Sequence, residues 1–462
     1  MFSTDLGENE ITAERSLCVQ QTTKSERLDK TQHSRSRVLR HGIFAATAAG
    51  ALLLAGCSSS DTPEESDGGA QAFSFTFATS NNLESPYQTL ADLYMEENPD
   101  VTITTNPTPN DKYGETIRTQ LQAGNASDVI QTTPGSGDAR GLIGLADAGF
   151  LEPLGDTAQS LVPEGSESLF EIDGKVYGQP LDFTIGSVVA SFGNAGRMGI
   201  ADFAWPESMD DLYAACDAAA ATGGSLFALA GAAPPNTGLM AQAISATRVY
   251  AEEPDWNQQR ADGDTTFADS DGWKDTLQTI IDLNEGGCFQ AGSEGGGFDA
   301  ITNGLSGGTS IGGFIPSGAA IEIAKAAPPE AAFAVEPFPA GDGGTPYIMA
   351  SSNYTLSINA ASKAKDASAA FLEWMAEDAQ QQKYYELSGE LPVSAYKTMD
   401  LTGTIYEPVV DLLASSSYTS LPSNVWPNPS VYDALSVGVQ GLLTGQKTIE
   451  QVLTDLDTAW DQ

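Results

Sequence analysis

The chain has 462 residues and a formal net charge of −41, with 62 acidic against 21 basic residues. A surface this acidic repels phosphate backbones, which excludes nucleic-acid binding. Both histidines, His33 and His41, precede Cys57. The chain beyond Cys57 therefore lacks the side chain that Ser-His-Asp catalysis, Cys-His catalysis and histidine-ligated zinc require. No cofactor and no metal site is predicted.

Residues 1–56 have the pattern of a secretory leader. A basic segment with Arg35, Arg37 and Arg40 precedes the apolar run Ile43–Ala55, which is shorter than the roughly 20 residues that span a membrane. The following residues, "LAGC", resemble the lipobox of bacterial lipoproteins. That resemblance implies removal of residues 1–56 and a lipid anchor at Cys57. The alternative is an ordinary signal peptide in which this cysteine is incidental.

Residues 57–71 predict a flexible tether, because they are rich in Ser, Asp, Glu, Gly and Pro and lack apolar spacing. Order begins at residue 72, where Phe73, Phe75 and Phe77 alternate with small residues as in a strand. Then follow a helix in "SPYQTLADLYMEENPD", a strand in "VTITTN", a helix in "YGETIRTQLQAGN" and a strand in "SDVIQT". This alternation predicts an α/β sheet with parallel members.

The same alternation resumes after Gly186. It predicts a strand in "SVVASF", a helix in "SMDDLYAACDAAAATGG" with Ser208 as N-cap, and a helix in "WKDTLQTIIDLNEGG". Short strands are predicted in "SIGGFI", "FAVEPFP" and "YTLSINA". One long helix is predicted in "DASAAFLEWMAEDAQQQKYYEL", and two more around Val431–Leu443 and Ile449–Trp460.

The sequence has four cysteines: Cys18 lies in the leader, Cys57 is the predicted anchor, and Cys216 and Cys288 are left to pair with each other. In an oxidising, exported setting such a pair most simply forms a disulfide, worth roughly 4 kcal/mol for so long a loop. The alternative is two buried thiols.

Several segments resemble extracellular solute-binding proteins of the carbohydrate-binding family of bacterial ABC importers: "LADAGFLEPL", "DGKVYGQPL", "GGFDAITNGLSGG" and "SKAKDASAAFLEWMAEDAQQQKYYELSGELPVSAY". With the lipobox they span almost the whole chain after the leader. Cys216 and Cys288 also lie where some lipid-anchored members carry a bridge. The resemblance implies an α/β, two-lobed periplasmic-binding-protein-like fold of type II. In it, a sugar binds between the lobes, a hinge closes, and the closed form docks on the permease subunits.

The resemblance also implies lobes that are discontinuous in sequence. We expect lobe 1 to comprise 72–182 with about 353–402, and lobe 2 to comprise 187–349 with about 405–462. Hinge crossings are expected near Pro180–Ser187, near Met349–Tyr354 and near residues 400–408. The protein is expected to be a monomer, held at the outer face of the bacterial cell membrane through the lipid at Cys57.

Carbohydrate recognition requires aromatic rings against C–H faces and short polar or carboxylate side chains for hydroxyls. In open α/β sheets such residues follow the carboxyl ends of strands. The predicted ligand contacts are Asn81, Asn82 and Glu84 after the first strand, Gln131 and Asp138 after the third, Asp182 and Phe183 at the first crossing, Phe314 in "GGFIPSG", Asn353 and Tyr354 at the second crossing, and Trp426 and Tyr432 in "LPSNVWPNPSVYD".

Each candidate has a structural alternative. Asn81 and Asn82 can form the turn after their strand, Asp138 can cap the next helix, and Asp182 can cap a turn. Phe314 suits a lobe core equally well. Trp426, in a loop of prolines, serine and asparagine, has little reason to be in a core.

The predicted function is a non-enzymatic carbohydrate receptor that feeds an importer. One alternative keeps the receptor but changes the solute to a polyamine or peptide. The other is a glycosidase, since two carboxylates suffice for that chemistry without histidine.

Overall fold

A computed structural model describes residues 71–79, 85–341 and 343–462. The predicted leader, the anchor at Cys57 and the tether up to residue 70 lie outside these residues, as do Asn81, Asn82 and Glu84. The helices are α1 Pro86–Glu97, α2 Asn110–Ala123, α3 Leu142–Asp147, α4 Asp156–Leu161, α5 Phe192–Arg197, α6 Met209–Ala221, α7 Pro234–Ser245, α8 Trp256–Asp262, α9 Asp271–Glu285, α10 Phe298–Gly307, α11 Ala319–Ala326, α12 Lys365–Met375, α13 Asp378–Ser388, α14 Val410–Ala414, α15 Pro429–Leu443 and α16 Ile449–Trp460.

The strands are β1 Gln71–Thr79, β2 Val101–Pro109, β3 Val129–Thr132, β4 Leu151–Glu152, β5 Glu171–Ile172, β6 Lys175–Val176, β7 Gln179–Pro180, β8 Asp182–Ser191, β9 Ser225–Ala228, β10 Ser310–Pro316, β11 Phe333–Glu336, β12 Ile348–Ser351, β13 Thr355–Asn359, β14 Leu391–Pro392 and β15 Tyr418–Thr419.

The first sheet has the order β2-β1-β3-β13-β4, with β7 paired to β13. Strand β1 runs parallel to β2 and β3, as predicted, whereas β13 returns antiparallel to β3. The alternation in β1 buries Phe73, Phe75 and Phe77 on one face, against Tyr87 and Phe371 of the covering helices.

The second sheet has the order β15-β12-β8-β10-β9, with β11 and β14 also paired to β8. Strand β8 is buried along its whole length because partners and helices cover it on every side. Its apolar, β-branched sequence suits a strand with no solvent-facing side. The predicted two-lobed α/β architecture is confirmed.

The chain passes between the sheets at three places. It leaves the first sheet between Pro180 of β7 and Asp182 of β8, and it returns between Ser351 of β12 and Thr355 of β13. The third passage follows α13, since Leu391 already pairs with Phe183 of the second sheet. It therefore lies earlier in the chain than the predicted 400–408.

The predicted long helix after residue 365 is wrong, because it is two helices. Glu377 has extended backbone angles and separates α12 from α13. The Gln381 side chain donates to the carbonyl of Met375, at 3.2 Å, and so satisfies a group that a continuous helix would have satisfied. Sequence periodicity cannot register this break, because both halves keep their apolar face.

Two local predictions on the second-sheet side are confirmed. The Ser208 hydroxyl accepts a hydrogen bond from the Asp211 amide and caps α6. Cys216 on α6 and Cys288 after α9 form a disulfide, and both residues are buried in the core.

Candidate functional site

The segments that follow β3 and β15 contact each other through their backbones. We call residues 133–141 the β3 loop and residues 420–428 the β15–α15 segment. The amide of Ser136 donates to the carbonyl of Asn424 at 2.8 Å, and the Ser136 hydroxyl donates to the carbonyl of Trp426 at 2.7 Å. One segment extends from each sheet, so the candidate site is built from both.

Arg140 is the central side chain of the β3 loop. Its guanidinium carbon lies 5.3 Å from the ring centre of Tyr113 and 5.2 Å from that of Tyr354. Its Nε lies 3.7 Å from the Asp138 carboxylate. Burial opposes the charged form, but Asp138 and the two tyrosines keep the pKa of Arg140 raised. The guanidinium is therefore held charged in a fixed place between aromatic rings.

Hydrogen bonding around Arg140 is incomplete. Only 8% of the residue is exposed, and its Nη1 is buried without a hydrogen-bond partner. The hydroxyl of Thr133, at the start of the same loop, is also buried and unpartnered. Unsatisfied buried polar groups are costly, and native proteins rarely keep them without a reason. The Arg140 Nη1 and the Thr133 hydroxyl therefore keep unmet hydrogen-bonding capacity in the β3 loop.

Asp138 and Tyr432, both predicted as ligand contacts, interact electrostatically in the structure. Asp138 is exposed, and its charge contributes, after burial, to raising the pKa of Tyr432 and of the neighbouring Asp433. Asp138 does not cap α3, whose N-cap position is Gly141 without a side-chain bond. Its carboxylate instead accepts from the Arg140 amide at 2.8 Å, which fixes the loop.

Asp182 occupies the first passage between the sheets and is fully buried. One carboxylate oxygen accepts from the amides of Asn353 (2.9 Å) and Tyr354 (3.2 Å), and the other accepts from the Tyr384 hydroxyl (3.2 Å). From its place at the first passage, Asp182 therefore caps the turn at the second passage, which is the structural alternative to a ligand contact. The carboxylate ties them together and has its oxygens occupied by protein donors.

Glu390 is a second buried acid, at the third passage. It accepts from the Ser317 hydroxyl at 3.0 Å and from the Gly318 amide at 3.2 Å. Burial raises the pKa of Asp182 to about 6, against the hydrogen bonds that lower it. Burial and the charge of Asp182 raise the pKa of Glu390 to about 8. Each acid is held by its own protein donors at a passage between the sheets.

Gln131 and Phe183, predicted as ligand contacts, lie in the interior with protein partners. The Gln131 side chain accepts from the Ala78 amide and donates to the Tyr87 hydroxyl. The Phe183 ring stacks on Tyr396 with centres 3.7 Å apart. Both are about 1% exposed, so they support the walls of the site rather than form its surface.

The expectation that Trp426 avoids the core is wrong. Its ring is fully buried against Phe267 and Trp273, and its N–H donates to Asn257 at 3.2 Å. The polar residues around it form the loop surface, while the aromatic cluster beneath, contributed by distant helices, is invisible in the local sequence. Phe314 likewise packs in the core, with its ring centre 5.0 Å from that of Phe227.

Asn353 and Tyr354, at the second passage, are half-buried and remain candidates for ligand contact. The residues that sequence analysis missed are Arg140 and Tyr113. The signal for Arg140 was a lone basic residue beside an acid, in a glycine-rich loop of a strongly acidic chain. Tyr113 had no such signal, because in the sequence it is one of several residues on the apolar face of the predicted helix α2.

Within the described residues, no helix is both long and apolar enough to span a membrane, and no cluster of His, Cys, Asp and Glu has metal-binding geometry.

A family model described as bacterial extracellular solute-binding protein matches residues 79–382. Among curated proteins, none matches this sequence. Solved structures with the same fold include a protein from the thermophilic bacterium Caldanaerobius polysaccharolyticus, from work on xylan utilization (20% identity, TM-score 0.70, covering 84% of this chain and 99% of that one). RafE in complex with raffinose is similar at 20% identity and TM-score 0.68, covering 84% and 98%.

The GacH receptor of Streptomyces glaucescens, solved unliganded and with acarbose, is similar at 19% identity and TM-score 0.66, with coverage of 84% and 97%. At such identities, likeness in structure shows a shared fold.

Proposed function

The chain belongs to the bacterial extracellular solute-binding protein family, and from that premise we propose that it captures a sugar or oligosaccharide between its lobes and delivers it to the permease of an ABC importer. It acts as a receptor and not as an enzyme. The observation that carries the proposal is the buried, unpartnered Nη1 of Arg140, held between two tyrosine rings in the β3 loop, which contacts the β15–α15 segment.

The chemistry of this site supports a polyol ligand. The guanidinium donates to hydroxyl oxygens, the Asp138 carboxylate accepts from hydroxyl hydrogens, and the partly exposed rings of Tyr354 and Tyr432 suit apolar sugar faces. Asn353, Tyr354 and Tyr432 complete the set of half-exposed contacts. Solved structures of this fold include RafE in complex with raffinose, a chitin oligosaccharide binding protein and the GacH receptor in complex with acarbose, which also supports a saccharide.

The lobes follow the two sheets. Lobe 1 comprises 72–182 and the segment from about 353, and lobe 2 comprises 187–349 and the C-terminal segment. Strand pairing supports an end of lobe 1 near residue 388 rather than 402, because Leu391 pairs with the second sheet. The hinge is the set of three passages held by Asp182 and Glu390.

The receptor is exported, monomeric and anchored by a lipid at Cys57. The lipobox and the charged, tether-like segment 57–71 support this proposal, together with the extracellular family. A tether keeps a receptor beside its transporter, and two or more acyl chains are needed for stable anchoring.

A second candidate solute is a cation such as a polyamine. The carboxylates of Asp138 and Asp433 favour it, because neighbouring negative charges attract a cation; burial and the charge of Asp138 raise the pKa of Asp433. A glycosidase has less support, since the oxygens of Asp182 and Glu390 accept from protein donors at the hinge.

Calorimetric titration with mono- and oligosaccharides and with spermidine tests the proposal. The expected result is micromolar or tighter binding of a saccharide, recovered intact by chromatography. Binding of spermidine alone selects the cation receptor, and a cleaved saccharide overturns the receptor in favour of a hydrolase.

A further inference from the structure

The contact between the β3 loop and the β15–α15 segment has an unusual requirement for glycine. A Cβ added at Gly135 would overlap the carbonyl oxygen of Asn424, and one added at Gly137 would overlap that of Ser423. Gly135 also has φ +75°, where other residues are strained. The two backbones approach so closely that any side chain at either glycine would separate them.

The residue between the glycines makes the contact specific. Ser136 donates through its amide to Asn424 and through its hydroxyl to the carbonyl of Trp426. Both acceptors are main-chain carbonyls, so the contact does not depend on flexible side chains.

Both partners of the contact are fixed from behind. On one side, the Gly135 amide donates to the carbonyl of Leu169 at 2.9 Å. On the other, Trp426 is locked in the aromatic core by Phe267, Trp273 and Asn257. Rigid backing means that separation of the two segments requires movement of whole lobes.

We propose that Gly135–Ser136–Gly137 and Ser423–Trp426 form a backbone latch that holds the lobes closed and limits the rate at which bound solute leaves. Only the claim about the rate of solute release rests on the proposed receptor function, and the claim that the contact holds the lobes closed does not. Hinge opening breaks the two Ser136 hydrogen bonds, and each lost bond shifts the closed–open equilibrium by a few-fold to about tenfold.

The latch is tested first without any solute, by hydrogen exchange of a peptide that covers residues 133–141. Gly137→Ala forces the backbones apart, so the exchange rate of this peptide rises by at least about tenfold. The matched control is Gly144→Ala on α3, where an added Cβ meets nothing within 4 Å and φ is not positive. In this control variant, the hydrogen-exchange rate of residues 133–141 is expected to equal that of the unaltered protein.

Ser136→Ala keeps the volume of the loop and removes only the hydroxyl bond, so a rise of about threefold is expected. If Gly137→Ala is less stable than the Gly144→Ala control, the exchange rate of Ser136→Ala decides whether the latch exists. Unchanged exchange in Ser136→Ala and in a folded Gly137→Ala overturns the latch.

The second readout is the dissociation rate of the saccharide found by calorimetry, measured by stopped-flow fluorescence. Gly137→Ala is expected to raise it about tenfold with little change in the association rate. Faster exchange with no saccharide binding supports the latch and refutes the sugar receptor. Tight saccharide binding with equal exchange and equal dissociation rates in all variants refutes the latch alone.

Discussion

Arg140 and Asp182 are both buried charged residues, and they differ in what satisfies them. The Asp182 oxygens accept from two amides and a tyrosine hydroxyl, whereas the Arg140 Nη1 has no hydrogen-bond partner. Both have strong electrostatic neighbours, so charge and burial do not separate their roles. Within this pair, the unmet hydrogen bonding of Arg140 favours a ligand contact, and the satisfied oxygens of Asp182 favour a structural role.

Trp426 belongs with Asp182 on the structural side of this comparison, and it gives the largest expected effect. Trp426→Ala removes a fully buried ring from an aromatic cluster and lowers the free energy of unfolding by about 4 kcal/mol in urea denaturation. Trp426→Phe is the milder variant, expected to cost about 1 kcal/mol. A loss below 1 kcal/mol for Trp426→Ala would return this residue to the ligand-contact class.

Asp182→Ala leaves two buried amides and a tyrosine hydroxyl without their acceptor. We expect a loss of about 3 kcal/mol in the free energy of unfolding, because unmet buried donors carry their full desolvation cost. The matched control is Asp147→Ala, an exposed carboxylate at the end of α3 whose removal is expected to change stability by less than about 0.5 kcal/mol. Equal effects in the two variants would contradict the assignment of Asp182 as a hinge anchor.

Arg140→Ala acts on binding. Loss of a charged donor to a ligand oxygen is expected to weaken saccharide affinity by about 2 kcal/mol, or about 30-fold in Kd, measured by calorimetry. Arg118→Ala is its control, because it removes the same charge from an exposed position on α2. If both variants bind the saccharide as tightly as the unaltered protein, the assignment of Arg140 as a ligand contact is wrong.

The pH dependence of stability separates the hinge acids from ordinary carboxylates. Burial raises the pKa values of Asp182 and Glu390, and also that of Glu336 at the end of β11, so between about pH 4 and about pH 8 these three groups hold more protons in the native protein than in the unfolded chain. The free energy of unfolding therefore falls as pH rises from about 4 to about 8, by at most about 1.4 kcal/mol per unit for each group.

Glu390→Gln removes one titrating group and makes this slope shallower, while Glu386→Gln, on the exposed side of α13, leaves it unchanged. Chemical denaturation at several pH values measures the slopes. A free energy of unfolding that rises across this interval would contradict buried, protonatable hinge acids.

The fold was largely predictable because its signals are local. Alternation at Phe73, Phe75 and Phe77 specified a strand, Ser208 specified a helix start, and two leftover cysteines specified their bridge. The break at Glu377 was not predictable, since it depends on a tertiary packing change and on a side chain that substitutes for a helical bond.

The site was less predictable for a physical reason. Residue type indicated Asp138 and Tyr432 as candidates, and the charge of Asp138 contributes, after burial, to the raised pKa of Tyr432. Trp426 and Phe314 were misplaced because a loop sequence does not reveal which distant rings cover it. Arg140 emerged only from its missing partner, a property that belongs to the fold and not to the sequence.

The most direct test of the receptor assignment is a crystal structure of the protein with the saccharide that calorimetry identifies. We predict an intact saccharide between the lobes, with a hydroxyl oxygen within hydrogen-bond distance of the Arg140 Nη1 and another near the Asp138 carboxylate. A saccharide bound elsewhere, with Arg140 still unpartnered, would contradict the account.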